Sequence, residues 1–307
     1  MRPRLAVTVF LLMAAAGDFP AAAQEKGTLE PAELPPLAHS GDPSTPAKQL
    51  FGRQVTPAPL AARTIGFYSR GCLAGGQPLP VNGPAWQVMR LSRNRNWGHP
   101  ALVGFLERFA LKVPQVSHWP GILVGDMSQP RGGPMLSGHA SHQIGLDADI
   151  WLTPMPERAL TAAEREEMMA VNVVRSDRLD VDPARWTPDH LAVIKTAAQD
   201  RTVQRIFVNA AIKKALCREA GPDRSWLRKV RPYYGHDYHF HVRLACPEGE
   251  DACRAQDPVP PGDGCDSSLD WWFSGAILHP QPGPQKPRSS LTMAQLPSEC
   301  RTVLSAR

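Results

Sequence analysis

Two short windows restrict what this chain can fold into more than any other part of it. Gly138–Trp151 reads GHASHQIGLDADIW, and His236–Leu244, about ninety residues later, reads HDYHFHVRL. Both alternate with a period of two. Leu146, Ala148, Ile150 and Leu152 fall on one side of an extended segment, and Asp147, Asp149 and Trp151 on the other. In the second window Tyr238, Phe240, Val242 and Leu244 oppose His239, His241 and Arg243. A helix would scatter these residues around its circumference, so each window is expected to be a strand with one apolar and one ionisable face.

Five of the ten histidines lie here: His139, His142, His236, His239 and His241. Two imidazoles and one carboxylate with an open fourth position form the ligand set of a catalytic zinc site. The expected ligands are His142, from the loop entering the first strand, with Asp149 and His241. A lone HxH is weak support, because histidines also cluster as hydrogen-bonded core groups. Two clusters with a carboxylate at strand parity favour the metal. No HExxH occurs, so a zincin helix is excluded. No glutamate lies in either window, so the base is expected to be His239, two residues from His241 on the same face. His236, in the turn after Gly235, is assigned to substrate or oxyanion stabilisation. Asp147 or Asp237 is expected to orient a histidine.

These windows resemble the penicillin-insensitive murein endopeptidases, zinc peptidases of the LAS group, whose pattern is a His, six residues, an Asp, and much later HxH. The likeness extends over about Gly66–Gly264 and includes VMRLSRNRNWGHP, LVGDMSQPRGGP, RIFVN, AIKKALC and WLRKVRP. It implies a small antiparallel sheet carrying zinc, surrounded by helices and long disulfide-tied loops, in a periplasmic enzyme. It also implies hydrolysis of the amide between D-alanine and meso-diaminopimelate in cross-linked peptidoglycan. A second ion at a subunit contact, which would make a homodimer, would fall on His139, Asp177 and Asp180. The family has a His at the last place, so Asp180 is a departure. Arg131, Arg231 and Arg243 are candidate partners for the substrate's free carboxylates. Two other readings stand beside this one. They are a D,D-carboxypeptidase or dipeptidase of the same zinc group, and a metal-dependent wall-binding module without turnover.

The compartment follows from the N-terminus and the cysteines. Residues 1–23 have the form of a signal peptide, with Arg2 and Arg4, an apolar run from Leu5 to Ala16, and small residues up to a cleavage site near Ala23. That run is too short to span a bilayer, and no transmembrane segment is expected elsewhere. Six cysteines suit an exported chain and suggest three disulfides, although fifteen pairings are open. Cys246 and Cys253 close a short loop. The resemblance implies Cys72 with Cys300 and Cys217 with Cys265. A net charge of +5 is mild, and with the compartment it argues against nucleic acid and for an anionic polymer.

The remaining organisation is α+β, since helices and strands mix without a βαβ repeat. Residues 24–62 are expected to be a Pro/Ala-rich extended arm, partly disordered. Residues 63–279 form the zinc endopeptidase domain, and 280–307 a Pro-rich tail tied by Cys300. Within the domain, helices are expected over His99–Val113, Thr161–Val174 (a Thr-x-x-Glu capping box), Pro188–Gln199 and Ala210–Ala220. Short strands are expected at Val116–His118, Gly121–Asp126 and Arg205–Asn209. A serine-hydrolase reading of Ser137 or Ser141 fails for want of a GxSxG elbow.

Overall fold

The computed structural model describes residues 25–37, 41–280 and 290–307. The expected leader and most of the Pro280–Pro287 stretch lie outside the described residues.

Both windows are strands, Asp147–Trp151 and His239–Leu244, and they sit side by side at the centre of a seven-stranded sheet. They pair antiparallel, with Asp149 opposite His241 and Asp147 opposite Arg243. Beyond His239–Leu244 lies Val203–Val208, again antiparallel; beyond Asp147–Trp151 lies Ile122–Val124, also antiparallel. Farther out the pairing becomes parallel, with Val230–Pro232 on one flank and Trp86–Val88 on the other. The architecture is α+β with an antiparallel centre. The flanking strands are three residues long, too short to carry a readable alternation.

Strand parity does what the alternation predicts. Ala148, Ile150, Phe240, Val242 and Leu244 are buried in the main core. They face the helix Pro100–Val116, which buries Leu102, Phe105, Leu106, Phe109 and Val113. Phe109 meets Phe240 edge-on, with ring centroids 6.5 Å apart. Each such large side chain contributes about 1.5–3 kcal/mol by leaving water. The helix starts where it should: Pro100 occupies its first turn, and His99 Nδ1 accepts the N–H of Ala101. The helices Pro188–Gln199 and Ala210–Glu219 complete the layer.

Three local expectations change. The capping box Thr161–Glu164 is present, but its helix ends at Glu167 instead of Val174. Arg90 takes the carbonyls of Arg165 and Met168, and Val173 N–H donates to Asp237 O, so the chain runs on extended. Val116–His118 is not a strand. Val116 ends the preceding helix, and Ser117 donates both its N–H and its hydroxyl to Val113 O. The N-terminal arm is not uniformly extended either. Ala47–Phe51 is a helix whose Phe51 is fully buried, and with Ile65, Leu296 and Val303 it forms a second core.

Three disulfides stitch the periphery: Cys72–Cys300, Cys217–Cys265 and Cys246–Cys253. The first fastens the C-terminal helix Glu299–Ser305 to the hairpin formed by Arg63–Phe67 and Arg70–Ala74.

Candidate metal centre

The polar face of the two central strands is buried, which is unusual for such residues and has to be compensated. Asp149 lies at its middle, 4% exposed, with four imidazoles around it. Its Oδ1 is 3.4 Å from His142 Nε2, 3.3 Å from His241 Nδ1 and 3.6 Å from His239 Nε2. Its Oδ2 is 3.4 Å from His139 Nδ1. Burial opposes the charge of Asp149, yet the imidazoles of His239, His142 and His139 outweigh it and hold the carboxyl well below the usual range. Burial pushes His239 down to about 3 and His241 down to about 4.

Three of the imidazoles have their other nitrogen tied elsewhere. His142 Nδ1 is 2.8 Å from Met127 O. His241 Nε2 is 2.9 Å from Asp147 Oδ1. His139 Nε2 is 2.9 Å from Asp126 Oδ2. Asp147 is a hub: it also accepts the backbone N–H of His142 and two N–H groups of Arg243. Burial resists its ionisation, but Arg243 and His241 prevail and keep it charged. Asp237 does not orient a histidine. Its carboxylate accepts from Asn172 Nδ2.

The loop that delivers His142 is held by residues the sequence reading passed over. Gln143 is buried; its Oε1 accepts the N–H of Gly71 and its Nε2 donates to Ser69 O and Ala140 O. His142 itself has φ of +67°, a left-handed conformation that a non-glycine residue adopts only when its surroundings impose it. Gly145 has φ of +74°, and a Cβ there would lie 2.8 Å from His99 N and against Leu73. The glycine is therefore required by the turn and by this packing. Asp126 was also missed: it accepts from Arg93 and Arg95 as well as facing His139. Its place at the end of a predicted strand, within the segment LVGDMSQPRGGP, is the signal that could have pointed to it.

Do these residues fit a metal? Three buried polar atoms in the cluster lack any hydrogen-bond partner: His142 Nε2, Asp149 Oδ1 and His239 Nδ1. Native interiors rarely leave such atoms unpaired without a purpose. Ligands at about 2.0–2.1 Å from a tetrahedral ion stand roughly 3.3–3.4 Å apart. The separations of Asp149 Oδ1 from His142 Nε2 and His241 Nδ1 match that spacing. Among the described residues, the group whose ligand atoms all lie within 4.8 Å of one another is His139 with His142 and Asp149. In that group His139 faces the other carboxylate oxygen, Oδ2, whereas His241 Nδ1 approaches the same oxygen, Oδ1, as His142 Nε2.

Other candidate residues fall elsewhere. His236 has φ of +55°, its Nδ1 lies 2.7 Å from Tyr234 O, and its ring is 4.8 Å from that of His239, at the rim. Asp177 pairs with Arg175, and Asp180 with Arg218. Within the chain, among the described residues, neither joins His139 in a ligand group. Arg131 and Arg243 are not available to substrate. Arg131 is buried and donates to the carbonyls of Thr56, Val303, Leu304 and Ala306. Arg243 is clamped to Asp147 and lies over the Tyr68 ring at 4.2 Å. Arg231 stands beside Gly264, outside the cleft. The cations lining the cleft are Arg90 and Arg93, with Asp126, Tyr238 and His239.

A buried carboxylate ringed by imidazoles on an antiparallel sheet floor, open to a cleft, defines a candidate metal-dependent hydrolase. Comparison with known proteins narrows this. The family described as penicillin-insensitive murein endopeptidase matches residues 64–305, and the chain belongs to that family. Proteins named penicillin-insensitive murein endopeptidase from Escherichia coli strain SMS-3-5 and from Escherichia coli O81 strain ED1a are each 45% identical over 248 residues. That span covers 81% of this chain and 88% of each relative. No helix among the described residues is long and apolar enough to cross a membrane.

Proposed function

We propose that this protein is a periplasmic zinc endopeptidase that hydrolyses the D-alanyl–meso-diaminopimelyl cross-links of murein. The observation that supports this most is the set of unpaired buried atoms around Asp149. His142 Nε2, Asp149 Oδ1 and His241 Nδ1 would hold the ion. Zinc bound there would supply a water of lowered pKa and a polarised scissile carbonyl.

The chain's own residues do the rest. His239 shares the strand face of His241, is 8% exposed, and presents Nε2 toward Asp149. It takes a proton at that nitrogen and returns it to the leaving amine. His236 at the rim steadies the substrate carbonyl. Arg93, in place of Arg131 and Arg243, faces a free carboxylate of the cross-link. His139, paired with Asp126, walls the cleft. The predicted leader and three disulfides support export.

The test is metal analysis of the purified protein together with product masses from cross-linked muropeptides, with and without chelator. Monomers released only by the metal-loaded protein support the proposal. Free D-alanine would indicate the carboxypeptidase alternative. Bound metal and wall binding with no product would indicate a binding module.

A further inference from the structure

An unbroken run of aromatic rings leads from the candidate metal centre to open solvent. The His241 ring lies 5.2 Å from Phe207, and Phe207 lies 5.5 Å from Tyr233. Tyr233 is 6.0 Å from Tyr234, Tyr234 is 5.0 Å from Trp272, and Trp272 is 5.1 Å from Trp271. At its outer end Tyr233, Tyr234 and Trp271 are 51%, 53% and 54% exposed. Single exposed aromatics need no explanation, but a contiguous group joined to a catalytic cleft does.

The shelf is held in place from behind. Trp271–Phe273 is a single 3-10 turn following Ser267–Asp270, whose Leu269 is buried and whose N-cap Asp266 accepts the N–H of Ser268. Cys265, just before this segment, is tied to Cys217. Lys214 Nζ lies 5.2 Å above the Phe273 ring. Rings fixed this way lose little conformational freedom when a ligand covers them.

We infer that this shelf binds the glycan strand of murein, with pyranose rings stacked on Tyr234 and Trp271 while the attached peptide enters the cleft. The inference rests on the murein reading above and adds a subsite to it. A pyranose presents a flat face of C–H groups with hydroxyls at its rim. Tyr and Trp offer the complement, an electron-rich face with a polar edge. The peptide of a cross-link is attached to sugar, so a cleft that admits the peptide places sugar at its exit. The run Tyr233–Tyr234–Trp272–Trp271 meets the cleft through His236, whose ring lies 5.6 Å from Tyr233 and 4.8 Å from the cleft-lining His239.

The experiment compares wild type with Tyr234→Ser and Trp271→Ser on two substrates, intact glycan-bearing sacculi and a glycan-free cross-linked peptide dimer. Co-sedimentation with sacculi is measured alongside. The expected result is about tenfold weaker sacculus binding for the double variant, roughly 1.4 kcal/mol, with kcat/KM on the glycan-free dimer unchanged. Equal loss on both substrates, or no loss on either, would overturn the inference. So would a wild-type dimer in solution that the variants dissolve, since a second copy would then be what covers the rings. Failure of the murein reading shows separately, as wild-type protein that releases monomers from neither substrate. Sacculus binding still decides the shelf in that case.

Discussion

His241 Nε2 lies 2.9 Å from Asp147 Oδ1, although the two residues are 94 positions apart and belong to neighbouring strands. This contact settles which nitrogen of His241 faces Asp149, because Asp147 claims Nε2 and leaves Nδ1 at 3.3 Å from Asp149 Oδ1. Asp147 also accepts from the His142 backbone and from Arg243, so one carboxylate orients both proposed imidazole ligands.

Asp147→Asn should therefore weaken metal binding by about 10–100-fold while keeping the fold, since a carboxylate behind a ligating imidazole has that typical effect. Asp147→Ala should do more. It leaves Arg243 buried without a counter-charge, a loss of about 3–5 kcal/mol. Metal titration and urea unfolding of the two variants separate these effects.

Removal of the ion should lower the melting temperature without unfolding the protein. A ligand present at about 1,000 times its dissociation constant contributes roughly 4 kcal/mol. Circular dichroism before and after chelation checks this, and added zinc should restore both stability and cleavage. A chelated protein that melts as before would count against a resident ion.

Arg131→Met tests the reassignment of that residue. Its guanidinium donates to four backbone carbonyls near Thr56 and the C-terminal helix. Stability should fall by about 1–3 kcal/mol, the cost of leaving buried acceptors unpaired. The KM for cross-linked muropeptides should stay as in wild type.

Lys213 gives a pH signature away from the metal centre. It is fully buried and donates to Leu227 O and Asp263 O. Burial pushes it down to about 7 from 10.5, with Arg231 and Arg224 adding to the shift and Asp263 and Asp266 opposing it. Between about pH 7 and pH 10.5 the unfolded chain binds this proton and the native one does not, so stability rises with pH across that window. Below about pH 7 both states are protonated and the full cost of the buried charge is felt. Lys213→Met should remove this rise. Unfolding free energies of wild type and variant at pH 7, 8 and 9 would show the difference growing in favour of wild type.

Cys72→Ser with Cys300→Ser should cost about 2–5 kcal/mol and loosen the C-terminal helix, because the bond closes a separation of 228 residues. Thermal melting and limited proteolysis near Glu299–Ser305 are the readouts.

The sequence by itself determined the two central strands and the side that each residue takes. A period of two leaves no other way to bury Ile150 and Phe240 together while gathering Asp149 and His241. It also set the helix starting at Pro100 and the box at Thr161, because those signals are local. What only the tertiary structure decided depends on groups distant in the chain. The Thr161 helix stops at Glu167 because Arg90 and Asp237 claim the backbone beyond it. Arg131 and Arg243 looked like free cations in the sequence, and packing turned them into internal braces. Asp126 and Gln143 lie within quoted segments but show no role there, yet they hold His139 and the His142 loop in place. Pairing across tens or hundreds of residues has no period to read, so only the folded chain reveals it.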